Sequence, residues 1–294
     1  MKEVKIKSIK RIPREDRYDL TVSSTSNFFA NGILIHNTSG RTGHVLMERD
    51  LKWHEKLAKR LKVNIADKEW IYLNGTRRVV MHEDKEKDKN PFHDPTIRDK
   101  AYKLFKDNLR KGETVFYEIV GYESTGATIM PSVDTTKMND KEFTKKYGKL
   151  MTYSYGCESK FCEVYIYRMT MTNEDGLSID YSWNDLVKRA SELGVKVVPH
   201  IRTLTLKELK AIGTSEGRTY NDDRDILDEF EKLVEKYASG PSILDPNHIK
   251  EGVCVRIEGG IDNRTFKFKS FEFKVLEEIV KDSGVIDAEE AQDA

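Results

Sequence analysis

Residues 2–37 constrain this chain most, because they are patterned as β-structure yet carry too little apolar mass to bury a core alone. Val4-Lys5-Ile6-Lys7-Ser8-Ile9 alternates at the strand period of two, and Tyr18-Asp19-Leu20-Thr21-Val22 does so again. Pro13-Arg14-Glu15-Asp16 reads as the turn between them. Asn31-Gly32, a dipeptide that accepts positive φ, places a further turn before Ile33-Leu34-Ile35. The expected product is an all-β segment of four short strands that needs a partner to fold.

After Thr38 the texture changes, so the chain divides into residues 1–37 and 38–294. Helical periodicity over 49–63 brings Trp53, Leu57 and Leu61 onto one face. Residues 69–80 read as strand with Asn74-Gly75 as the turn, and 85–90 as a charged, solvated loop. Further helices are expected over 95–109 and 185–193, and strands over 115–121, 161–171, 252–258 and 265–274. Helices dispersed among strands, with no βαβ rhythm, predict an α+β fold with antiparallel sheets.

Composition narrows the function classes. Lys+Arg and Asp+Glu balance at 50 each, so any polyanion site must be a local cluster of cations. No run approaches the roughly 18 apolar residues of a membrane helix, and Met-Lys-Glu-Val-Lys lacks the apolar core of a signal peptide. Three cysteines are a sparse set that fits a reducing cytoplasm. Cys157 and Cys162 read as structural thiols, since no second Cys or His pair stands at zinc-ligand spacing.

The run Asn27-Phe28-Phe29-Ala30-Asn31-Gly32-Ile33-Leu34-Ile35-His36-Asn37-Thr38 holds the residue types that a self-cleaving chemistry needs. An Asn side-chain amide that attacks its own backbone carbonyl closes a succinimide and cuts the chain after itself. Asn37 is the candidate for that step, with His36 as the proton donor that polarises the scissile carbonyl. Thr38 supplies the downstream hydroxyl that can first accept an acyl group. Together with residues 18–22, this run resembles the C-terminal blocks of inteins, which have a HINT-type fold. The resemblance implies an orienting role for Asp19. The block departs from the family at Ser26, where inteins usually carry His, so slower or differently gated cleavage is expected. A start at Met1 without N-terminal splicing blocks implies a naturally split intein whose other half is a separate polypeptide.

Downstream, Thr38-Ser39-Gly40, Gly75-Thr76-Arg77-Arg78, Phe116-Tyr117-Glu118-Ile119-Val120-Gly121, Glu251-Gly252-Val253-Cys254-Val255-Arg256 and Phe266-Lys267-Phe268-Lys269-Ser270 stand in a particular order. Singly each has an ordinary reading as a turn or a solvated strand. In that order they resemble the covalent nucleotidyltransferase motifs of phage- and editing-type RNA ligases, whose domain is an ATP-grasp-like, antiparallel-sheet α+β fold. The resemblance implies that Arg77 contacts the nucleotide, Glu118 the ribose, and Lys267 and Lys269 the α-phosphate. It implies Mg²⁺ held through Glu251 and ATP as cosubstrate. Val164-Tyr165-Ile166-Tyr167-Arg168-Met169 occupies the place of the adenine-stacking strand, with either Tyr165 or Tyr167 stacking and Arg168 where the family often has Asp. The chemistry suits these residue types: lysine attack on ATP develops charge on phosphate oxygens, which cations and Mg²⁺ neutralise. Lys267 and Lys269 alternate at period two and so share one face of a strand.

The AMP-accepting lysine of the family would lie four residues before Thr38, where this chain has intein. The expectation is therefore a precursor that is inert alone. Its partner would be a chain carrying the intein N-terminal fragment and the ligase N-terminus. Trans-splicing at Asn37-Thr38 would restore an ATP-dependent ligase that seals RNA 3′-OH and 5′-phosphate ends, in the cytoplasm of a bacterial host if phage-encoded. The stretch after Ser270 is too short for the appendage that many ligases carry, which leaves end specificity open. Two alternatives stay open as well: a DNA ligase or capping-type enzyme with the same intein, and a non-catalytic nucleic-acid-binding module. Ser154-Tyr155-Gly156 and Val198-Pro199-His200 are further echoes of the phage ligases, without a role derivable from sequence.

Overall fold

The computed structural model of the protein describes residues 10–11, 18–19, 39–76, 80–81, 95–215, 217, 219, 223–258 and 263–277. The chain divides into two compact units, residues 1–35 and 36–294. In the first, β1 (Lys10–Arg11) and β2 (Tyr18–Asp19) pair antiparallel, with Lys10 opposite Asp19.

The second unit is α+β with antiparallel sheets. It opens with β3 (Ser39–Glu48), α1 (Trp53–Arg60), β4 (Lys68–Gly75), β5 (Val80–Met81), α2 (Pro95–Phe105) and β6 (Glu113–Gly121). Then come β7 (Val133–Asp134), α3 (Lys141–Tyr147), β8 (Leu150–Met151), β9 (Cys162–Thr172), β10 (Ser178–Asp180), α4 (Trp183–Leu193) and β11 (Lys196–Val197). The chain continues through α5 (Leu206–Ser215), α6 (Asp223–Ala238), β12 (Gly252–Ile257), β13 (Arg264–Lys269) and α7 (Phe271–Leu276). The principal sheet runs β10-β9-β6-β3-β4-β5, with β11 parallel beside β9.

Strand period explains which face is core. Along β6, Glu113, Val115, Tyr117, Ile119 and Gly121 are buried and the residues between them half-buried. The buried face takes Ile97, Ala101 and Phe105 of α2 and Leu186 and Ala190 of α4. Gly40 sits on that face, where an added Cβ would meet the Tyr117 ring at 2.5 Å, so the strand approaches closely only because the residue is glycine. The opposite face carries Ser39, Arg41, Phe116 and Glu118, since cross-strand partners share a side.

A bulge modifies this pattern. Phe116 stands opposite Arg168 but Tyr117 opposite Ile166, so β9 contributes one extra residue there. Strict alternation from Ile166 would turn Arg168 into the core. The bulge instead brings it over the Phe116 ring, 5.1 Å from the centroid, while Met169 takes the buried place.

A second core gathers Met130, Val133, Met151, Tyr153, Ile249, Phe273 and Leu276. It joins residues 130–153 to the last helix, and thereby fixes the two segments that flank it, around Tyr155 and Glu251.

Local structure departs from the sequence expectations in several places. Asn74-Gly75 is no turn: both residues lie in β4, paired with Thr42 and Arg41 and again with Met81 and Val80. Asn74 stays in the strand because Tyr117 and Thr42 hydroxyls bond its Oδ1 at 3.2 and 3.4 Å. Residues 271–274 are helical, because the Ser270 hydroxyl caps Phe273 N–H at 3.1 Å and ends the strand. Helices α3, α5 and α6 were not expected. The apolar stripe of α1 exists but faces solvent, with Trp53, Leu57 and Leu61 exposed at 78, 50 and 70%. Its polar side anchors it, through Arg49–Glu55 at 2.7 Å and Lys59–Asp67 at 2.5 Å.

Candidate functional site

The open face of the principal sheet carries part of the sequence-derived set. Ser39, Glu118 and Tyr165 form one row across β3, β6 and β9. The Ser39 hydroxyl donates to Glu118 Oε1 at 2.5 Å. Below this row, α2 contributes Arg98, only 3% exposed, whose Nη1 donates to the Ser39 carbonyl at 3.4 Å. Burial pushes the Arg98 guanidinium below its ordinary value, and the charge of Glu118 opposes that. Tyr165 has the Lys196 ammonium 5.8 Å above its ring, and Tyr167 lies 6.5 Å from Phe116. Register sets Tyr165 on the Glu118 side, where it is nonetheless buried at 7% exposure, and Tyr167, the extra residue of the bulge, lies beside Phe116.

Glu251 approaches from the loop before β12. Its Oε1 accepts a hydrogen bond from the Tyr155 hydroxyl. Burial, then the negative charges of Glu251 and Glu118, push the Tyr155 phenol well above its ordinary range, so it is a donor at any physiological pH. Tyr155 has φ 52°, an uncommon conformation for an aromatic residue. Its backbone N–H donates to His248 Nε2 at 3.3 Å, and His248 Nδ1 lies 2.8 Å from the Ile249 carbonyl. That pattern assigns the neutral tautomer with the proton on Nδ1. Burial holds His248 below its ordinary value, which agrees with a neutral ring.

The hairpin β12–β13 supplies the cations. Register places Lys267 opposite Cys254 and Lys269 opposite Gly252, on the same side as Arg256; Phe268 lies on the other side, 6.2 Å from Phe230 of α6. Gly252 is required at this pairing, because a Cβ would come 1.9 Å from the Phe268 carbonyl oxygen. The Arg256 guanidinium donates to the Tyr181 carbonyl and pairs with Glu258 at 3.0 Å. Glu258 in turn accepts from Trp183 N–H at 2.6 Å, while Asn263 N–H donates to Asp180 at 2.9 Å. These bonds tie the cationic side of the hairpin to the β10–α4 corner, where Asp180 also pairs with Arg168 at 2.7 Å.

Glu118, Tyr165 and Tyr167 thus lie on strands of the principal sheet, Glu251 comes near them through Tyr155, and the hairpin that carries Lys267 and Lys269 is tied to the β10–α4 corner of that sheet. His36, Asn37, Thr38 and Arg77 lie outside the described residues, as does the side chain of Asp19. Sequence reasoning quoted Ser39, Tyr155, Arg168 and Arg256 within motifs without giving them a role, and passed over Arg98 and Asp180. Arg98 did leave a signal, a charge next to Ile97 on the apolar stripe of α2. Tyr155 left one too, an aromatic residue directly before a glycine in a positive-φ pair.

No family model, curated protein or solved structure matches this chain.

Among the described residues there is no group of three metal-ligating side chains, and no helix is long and apolar enough to cross a membrane. Mg²⁺ commonly takes only one or two carboxylates, the rest of its shell being water and substrate phosphate. Glu251, within electrostatic reach of the Tyr155 phenol, is a hard oxygen donor that fits such a shell.

Proposed function

We propose that the chain is the C-terminal precursor half of an ATP-dependent RNA ligase, preceded by the C-terminal fragment of a split intein. What supports the reading is the meeting of separated sequence motifs: Ser39, the second residue after the proposed splice junction, bonds Glu118, and Tyr155 links that carboxylate's surroundings to Glu251.

In this reading Asn37 cyclises with help from His36, oriented by Asp19, and Thr38 becomes the first ligase residue. Splicing with a partner chain carries the nucleophilic lysine to the start of β3. Glu118 then holds the ribose, and Tyr165 or Tyr167 stacks the adenine. Arg77, Lys267 and Lys269 neutralise the phosphate oxygens as the lysine attacks and pyrophosphate leaves. Mg²⁺, when bound, supplies Lewis-acid stabilisation of phosphate charge. Glu251 would hold it. The cations facing the site also lower the pKa of the incoming lysine, which must lose its proton to attack.

The test uses α-labelled ATP with Mg²⁺. The chain alone should take no covalent label. After mixing with a chain that carries an intein N-terminal fragment behind Lys-x-His-Gly or Lys-x-Asp-Gly, label should appear on the spliced product, and nicked RNA should be sealed in preference to nicked DNA. Covalent label on the unspliced chain would refute the split-ligase reading. Asn37→Ala with Thr38→Ala should abolish the spliced product while leaving assembly intact.

A further inference from the structure

We propose that Tyr155 is a positioning residue whose hydroxyl aims the Glu251 carboxylate for a divalent cation. That a cation sits at Glu251 rests on the ligase reading; what the structure adds is how the carboxylate is held.

Tyr155 is held from several directions. Its αL backbone is a conformation that persists in a bulky residue only where the surroundings over-determine it. The N–H bond to His248 Nε2 at 3.3 Å and the ring contact with His248 at 4.7 Å lock the residue to the loop that carries Glu251. The preceding Ser154 hydroxyl bonds Asp245, which also accepts from Asn247 N–H at 2.9 Å and Asn247 Nδ2 at 2.8 Å. Asp245 and His248 thus belong to one closed loop, pinned to residues 154–155 at two points. Glu251 is anchored at its other end, where its carbonyl accepts from Ser270 N–H at 2.8 Å.

A glutamate has three side-chain torsions, and a ligand carboxylate that sweeps them loses rotamer freedom whenever it binds a metal. A donor that fixes the torsions beforehand removes that penalty. The chemical type of the donor matters equally. A lysine or arginine would orient the carboxylate but neutralise it; a phenol orients it and leaves the full negative charge for the cation. Glu118 also accepts from a neutral hydroxyl, that of Ser39, with the Arg98 charge within electrostatic reach. Engagement of Oε1 by Tyr155 still leaves carboxylate lone pairs for ligation, since an ionised carboxylate offers about four acceptor sites.

The experiment titrates Mn²⁺ into the full chain and counts free Mn²⁺ by electron paramagnetic resonance, beside thermal melting. Tyr155→Phe keeps the ring on His248 and removes only the hydroxyl. It should weaken Mn²⁺ binding about tenfold or more, the range for outer-shell partners of metal ligands, with melting close to wild type. Glu251→Gln should lose the site. Ser154→Ala loosens the same loop without touching either group, and should weaken Mn²⁺ several-fold; it carries the test if Tyr155→Phe does not fold. Wild-type affinity in the folded Tyr155→Phe chain, undiminished binding in Glu251→Gln, or no Mn²⁺ binding by the wild type would each overturn the inference. Failure of the ligase reading would show elsewhere, as no ATP-derived label after splicing.

Discussion

Arg189→Met should be among the most destabilising single changes in the larger unit. Glu113 is fully buried at the start of β6 and accepts from Arg189 Nε and Nη2, both at 2.9 Å, from Tyr181 Oη at 2.8 Å and from Arg110 N–H at 2.7 Å. Arg189 also donates to the Asn108 carbonyl at 2.8 Å and to Glu192 at 2.9 Å. Removing the guanidinium strands a buried carboxylate, a change that typically costs about 3–5 kcal/mol. At about 2–4 °C per kcal/mol for a unit of this size, the melting temperature should fall by about 6–20 °C. A double-mutant cycle isolates the pair. Glu113→Leu with Arg189→Met leaves neither charge buried, so the double variant should be less destabilised than the sum of the singles. The assay is reversible urea or thermal unfolding followed by circular dichroism. A loss under about 1 kcal/mol for Arg189→Met, or strict additivity in the cycle, would refute the argument that this pair is a buried, mutually dependent unit.

The same carboxylate sets a pH dependence. Burial raises the Glu113 pKa, but hydrogen bonds from Arg189, Arg110 N–H and Tyr181 outweigh it and hold the carboxyl below its ordinary value. Its contribution is therefore present above the unfolded-state value of about 4.3 and lost as pH falls through the lower folded-state value; Glu113→Gln should flatten the acid limb of the stability curve. Gly252→Ala should disrupt β12–β13, because its Cβ would meet the Phe268 oxygen at 1.9 Å and the Lys269 Cα at 2.7 Å. Loss of amide-exchange protection confined to 252–269 checks this, and unchanged protection there would contradict it.

Which side of a strand the candidate residues take was legible in their alternation. Lys267 and Lys269 share a face because a strand alternates, and the observed register keeps them together opposite Cys254 and Gly252. Glu118 points away from the core because Tyr117 and Ile119 point into it. The α+β class followed from helices scattered among strands. Turn assignment was weaker: Asn74-Gly75 has the composition of a turn, and ladder pairing with β3 and β5 plus the bonds from Tyr117 and Thr42 to Asn74 keep it extended. Residues 271–274 look like strand until Ser270 is seen capping a helix.

What the sequence determined by itself was local and periodic: which residues alternate, which stretches break, and which reactive groups the chain possesses or lacks. What only the tertiary structure decided was long-range. The β9 bulge that turns Arg168 out of the core has no local cause, since it exists only in register with β6. Arg98 reaches Ser39 across 59 residues, and Tyr155 reaches Glu251 across 96. Contacts of that span depend on how two cores pack. Packing free energy is spread over many apolar side chains, so no short pattern in the chain encodes it.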